Sequence, residues 1–209
     1  QKRAARRRFR SVWVNHPNLD NRALLIILHG KRIRIRVISE IKISTAQLTH
    51  LLLKPEGPFL DFKGKDIAPA KLTKALSAFA NADGGELFVG IATNTEKTQH
   101  SWEGFTNQEE ANGLIQCFEN FFPLGQDTSY EFLVCDGHKG LILRAEIRKS
   151  GNIRKSSDGT VYLRRGAQNH KVEGEEALSR LRLNKGIKTF ENEIVRLAIS
   201  VSSDQKVGK

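Results

Sequence analysis

Leu72, Ala75, Leu76 and Phe79 recur with the 3.6-residue period of an amphipathic helix, and the chain then reads Asn81-Ala82-Asp83-Gly84-Gly85 before an almost wholly apolar stretch, Leu87 to Ala92. This junction constrains the fold more than any other segment. Pro69 suits the first helical position, and the helix is expected to run to about Ala82. A glycine after it takes the left-handed conformation that closes a helix. The apolar stretch predicts a strand covered on both faces. A helix that turns straight into such a strand must pack on the sheet it enters. The expected fold class is therefore α+β (mixed α/β), a central mixed sheet flanked by helices.

The segment just upstream carries chemistry. In Glu56-Gly57-Pro58-Phe59-Leu60-Asp61-Phe62-Lys63, prolines 55 and 58 enforce extended backbone and Leu60 to Lys63 reads as a strand. Asp61 and Lys63 are two apart and share a strand face. Carboxylates at Glu56 and Asp61 suit a hard divalent cation, Mg²⁺ or Mn²⁺. Lys63 would then steady a phosphate or orient a water, as in a metal-dependent nuclease. The candidate catalytic set is Glu56, Asp61 and Lys63, with Glu56 and Asp61 as the metal ligands. The plainer reading is a surface ion pair of Asp61 with Lys63 or Lys65, which contributes little.

Charge is distributed unevenly. Of the net +11, residues 1–43 hold +10, from twelve Lys/Arg against two Asp/Glu. Residues 44–209 hold only +1, from twenty-two against twenty-one. A basic cluster attracts nucleic acid by neutralising phosphates and releasing counterions, although such an arm is also a common solvated tail. Nothing here spans a membrane as a run of eighteen apolar residues. Two cysteines, Cys117 and Cys135, with no CxxC, fit buried thiols in a reducing, cytoplasmic setting. The chain opens on Gln1 and lacks methionine, the pattern of a piece of a longer protein.

Along the chain, residues 1–10 read as a disordered arm and Ala23 to Leu28 as a strand. Lys31 to Val37 alternates Arg32, Arg34 and Arg36 with Ile33, Ile35 and Val37, a strand that either grips phosphates or is a charge-protected edge. Ser44 or Thr45 caps a short helix to Leu53. Thr93 to Gly104 is expected to be a polar loop and Asn107 to Phe121 a helix. Tyr130–Cys135 and Leu141–Ile147 form a hairpin, and Asn152–Lys155 and Thr160–Arg164 another around Ser156-Ser157-Asp158-Gly159. Glu175–Leu183 and Phe190–Ser200 are expected to be helices. This gives a basic arm with short strands over 1–43, either native to the domain or a separate or non-native addition, a main domain over 44–185, and a C-terminal helix and tail over 186–209.

No Walker sequence, GxGxxG, Gly-x-Ser-x-Gly or His/Cys ligand spacing occurs. Val161-Tyr162-Leu163-Arg164-Arg165-Gly166-Ala167-Gln168-Asn169 does offer a nucleic-acid contact: arginines fork onto phosphate and a tyrosine stacks. It also reads as a half-buried strand with solvated ends. The candidate nucleic-acid-binding residues are Lys63, Lys65, Tyr162, Arg164 and Arg165.

Together the three segments resemble the Schlafen-AlbA family of nucleic-acid-binding domains, over about residues 50–185. The resemblance lies in Glu56 with Leu60-Asp61-Phe62-Lys63, in Ala78-Phe79-Ala80-Asn81 with Gly84-Gly85 and a strand closed by Gly90, and in Tyr162-x-Arg164-x-Gly166. It implies a mixed α/β domain of bacterial transcription regulators or defence proteins, with DNA or RNA as partner. It also implies kinship with Schlafen proteins, some of which are metal-dependent endoribonucleases whose site uses three acids. Two would map to Glu56 and Asp61; the third falls where this chain has Ala92 and Thr93, with Glu86, Asp83 or Glu96 as substitutes. Schlafen cores pair two such units, so a homodimer is a further expectation. Asn81 is expected to cap the helix end and shape the site.

Overall fold

The computed structural model describes residues 11–14, 22–29, 32–94, 96, 99–123 and 127–187, with side chains from residue 38 onward. The expected arm at 1–10 and helix at 190–200 lie outside the described residues. Backbone elements in chain order are β1 (Ser11–Val14), β2 (Arg22–His29), β3 (Arg32–Ile43), α1 (Thr45–Leu52), β4 (Leu60–Lys63), α2 (Pro69–Asn81), β5 (Gly85–Val89), β6 (Ile91–Thr93), β7 (His100–Trp102), α3 (Asn112–Phe121), β8 (Thr128–Cys135), β9 (Ile142–Ile147), β10 (Tyr162–Arg165), β11 (Gln168–Lys171) and α4 (Glu175–Asn184).

The main sheet has the order β1-β2-β3-β8-β9-β5-β4. Its pairings mix directions: β3 with β8 and β4 with β5 are parallel, and the rest are antiparallel. The fold is α+β, as the helix-to-strand junction predicts. Helices α2 and α3 cover one face through Leu72, Leu76, Phe79, Leu114 and Phe118, packed on Leu87, Phe132 and Leu143. Helix α1 covers the other through Leu51, against Phe62, Phe88, Leu133 and Ile142. Ser44 caps α1 by a reciprocal bond with Gln47, the expected start. Among the described residues no helix is long and apolar enough to cross a membrane. Cys117 and Cys135 are buried free thiols, and burial pushes Cys117 up to about 11.

Four expectations change. Strand β3 does not stop at Val37. It pairs with β2 up to Ser39 and with β8 from Glu40 to Ile43, so it is no edge strand, and Ile38 joins the core. The adjacent apolar pair Val37-Ile38 breaks the alternation that defines the strand in sequence. The apolar run Leu87 to Ala92 is two strands, because Gly90 takes φ 103° and ends β5. The loop after it contains β7, which pairs with β6 and is tied to Lys139 by the Trp102 indole. Across Ser156–Gly159 only Lys155 and Val161 bridge, and the true hairpin is β10–β11.

Candidate nucleic-acid interface

Edge strand β4 carries Leu60 and Phe62 toward the α1 side and Asp61 and Lys63 toward α2. Asp61, in register with core Leu87, is 1% exposed. A carboxylate sealed this way needs cations, and two supply them. Lys63 Nζ lies 2.7 Å from Asp61 Oδ2 and also donates to the Phe62 carbonyl at 2.9 Å. Arg164 Nη2 donates to Asp61 Oδ1 at 3.3 Å. Glu56 closes the cluster: it accepts the Phe62 amide at 3.0 Å and lies 3.8 Å from Lys63 Nζ. Burial raises the Asp61 pKa above the usual carboxylate value, over the pull of Lys63 and Arg164. Burial also acts on Glu56, but the Phe62 amide, Asp61, Lys63 and Arg164 together pull it below its usual value.

Arg164 arrives from β10, a hundred residues on. It is 5% exposed and, with the Asp61 bond, four of its five N–H donors are engaged: Nε on the Gly57 carbonyl at 3.1 Å, Nη2 on the Leu60 carbonyl at 3.0 Å, and Nη1 on Asn169 Oδ1 at 2.8 Å. The guanidinium also sits 4.8 Å above the Phe79 ring. A phosphate contact through Arg164 would require those bonds to break. Its position is that of an internal brace between the hairpin and the 57–60 turn.

The glycines explain the helix-end motif. A side chain at Gly85 would meet the Phe79 ring at 2.6 Å, and one at Gly84 (φ 83°) would meet the Ile147 carbonyl at 2.5 Å. The Phe79 ring is therefore held between Gly85 and Arg164. Asn81, 2% exposed, is a clamp and not the helix cap expected of it. Its Nδ2 donates to the carbonyls of Arg154 at 2.7 Å and Tyr162 at 2.9 Å, and its Oδ1 accepts the Arg154 amide at 2.8 Å. Ser77 adds a bond to the Arg154 carbonyl and accepts the Tyr162 amide. The clamp joins α2 to the segment that leads into β10.

The structure brings Glu56, Asp61, Lys63 and Arg164 together and sets the other candidates apart. Lys65 is turned toward Glu110, 3.6 Å away. The Tyr162 ring lies under Lys74 Nζ at 5.7 Å, and Arg165 is exposed at the end of the hairpin. Sequence reasoning missed Gly57 as an Arg164 partner because the two are distant in the chain, and Asn169 because its role depends on the β10–β11 register.

Two carboxylates are poor material for Mg²⁺ or Mn²⁺ here. Asp61 is 1% exposed and faces an ammonium and a guanidinium, so an ion would have to displace both cations and shed its water. The positions of the third acid, Ala92 and Thr93, lie in β6, where Thr93 bonds His100. Glu86 pairs with Arg144 and is in register with Leu60, on the face opposite Asp61; Asp83 pairs with Lys149; Glu96 is exposed. Among the described residues no group of three or more His, Cys, Asp or Glu could hold a metal. The residues present do not fit the ion.

The profile of the family described as Schlafen, AlbA_2 matches residues 56–173, more than half of the chain. No curated protein matches. Among solved structures, the DIP2311 protein from Corynebacterium diphtheriae is similar at 16% identity with a TM-score of 0.42, over 59% of this chain. The chain spans 26% of that protein.

Proposed function

We propose that this chain, which belongs to the Schlafen, AlbA_2 family, binds nucleic acid through its phosphate backbone without cutting it. Family membership points to a nucleic-acid-related function. The observation that carries the finer reading is Lys63. Its side chain is 28% exposed, and its ammonium is held in a set position by Asp61 Oδ2 at 2.7 Å and the Phe62 carbonyl at 2.9 Å, at the partly open edge of the cluster. Fixed cations position phosphates and carry no sequence information. Arg165 at the hairpin end extends the contact, and Lys65 and Tyr162 join it by leaving Glu110 and Lys74. Arg164 supports it from within by holding the hairpin against the 57–60 turn.

Fluorescence anisotropy with labelled oligonucleotides over a salt series tests this. Affinity should fall log-linearly with salt, and Arg165→Ala or Lys65→Ala should each lower the slope by about 0.7 to 0.9. No salt-dependent binding tighter than about 10⁻⁴ M would overturn the reading. Incubation of the same oligonucleotides with Mn²⁺ separates holding from cutting. Cleavage by the wild type that Glu56→Gln abolishes would replace this reading with that of a nuclease.

A further inference from the structure

Phe59 is 59% exposed, yet hydrogen bonds hold its backbone on both sides. It sits with Pro58 at the tip of a tight turn closed by the Gly57 amide on the Leu60 carbonyl at 3.0 Å. The Phe59 carbonyl accepts the Glu86 amide at 2.8 Å and abuts Gly85, where an added side chain would approach within 2.8 Å. Arg164 bonds both arms of the turn, at Gly57 and Leu60. The ring itself joins neither apolar cluster, and among the described residues it makes no ring or cation contact. A large apolar side chain left in water adds little burial to the fold.

We propose that Phe59 is a stacking platform for an unpaired base, and that the partner of this domain is single-stranded nucleic acid. The inference rests on the phosphate-binding reading above and names its substrate class. Aromatic rings take every base by its π-face, which suits contact without sequence readout. A base inside a duplex is already stacked on both sides and cannot reach a ring mounted on a turn. Lys63 lies four residues further along the extended strand, about 13 Å at a rise of about 3.3 Å per residue. Ring and cation therefore fall within one short single-stranded site of roughly 4 to 16 nucleotides. Pre-ordering of the turn by Arg164 means little freedom is lost when a base lands.

The test compares wild type, Phe59→Ala, Phe59→Trp and Arg165→Ala for binding to labelled oligo(dT), oligo(U) and a blunt duplex. Phe59→Ala should weaken single-strand binding about 5- to 150-fold. Its salt slope, duplex binding and melting temperature should stay those of the wild type, and Phe59→Trp should bind as well as wild type or better. Equal single-strand binding by Phe59→Ala and wild type would overturn the stacking proposal and leave the phosphate reading standing if Arg165→Ala still lowers the salt slope. Equal loss for duplex and single strand would also overturn it. Absence of binding by the wild type to any oligonucleotide would overturn both.

Discussion

Removing the Asn81 side chain should unfasten the β10 segment from α2. In Asn81→Ala the Arg154 amide and the Tyr162 carbonyl lose their partner, while the Arg154 carbonyl keeps the Ser77 hydroxyl at 2.8 Å. Each stranded polar group costs about 1–3 kcal/mol. Arg154 and Tyr162 are half-buried, so water relieves part of the loss. The expected destabilisation is about 2–4 kcal/mol, a large share of a typical total of about 5–15. Asn81→Asp is the sharper probe. It keeps an acceptor for the Arg154 amide but points an oxygen at two carbonyls now 2.7 and 2.9 Å from Nδ2. It should therefore cost at least as much as alanine despite its nearly identical shape. Urea unfolding followed by circular dichroism, with an unchanged m-value, gives the number. An Asn81→Asp protein as stable as wild type, or an alanine variant losing less than about 1 kcal/mol, would refute the clamp.

Two further outcomes follow from the same geometry. Arg164→Met should destabilise by about 3–5 kcal/mol, because Asp61 stays buried with Lys63 alone and the Gly57 and Leu60 carbonyls lose a donor. Adding Asp61→Leu should cost clearly less than the sum of the single changes, whereas strict additivity in the double-mutant cycle would show that the pair does not interact. Asp158 accepts the Ser156 hydroxyl at 2.5 Å and the Thr160 amide at 3.0 Å, which hold its pKa at about 2. That folded value lies below the ordinary 3.8, so its stabilisation is complete above pH 3.8 and is lost as pH falls through 2. Carboxyl NMR should place the midpoint near 2, and a midpoint near 3.8 would contradict the turn geometry.

The parts of the fold that were legible in the sequence are those set by neighbours in the chain. The capping box at Ser44, Pro69 at the start of α2, the apolar period to Phe79 and the left-handed Gly84 each act within a few residues. What stayed hidden depends on distant partners. An arginine followed by another arginine reads as solvent-facing, and only the carbonyls of Gly57 and Leu60 draw Arg164 inside. Turn residues at both Ser156–Gly159 and Gly166 predict hairpins, and packing against α2 decides which one closes. Strands β6 and β7 are three residues each, too short for alternation to show. The convergence of Glu56, Asp61 and Lys63 was visible because it lies on one strand and its approach. The burial of Asp61 was not, because it depends on α2 and β10 closing over it.

The β10–β11 ribbon shares no ladder with the main sheet and is bolted to α2 and β4 by Asn81, Ser77 and Arg164. Its far end, Arg165 to Gln168, makes none of those attachments. Evolution or an engineer can therefore exchange that tip as one swaps the bit of a drill, retuning what the domain grips while the chuck keeps its fit.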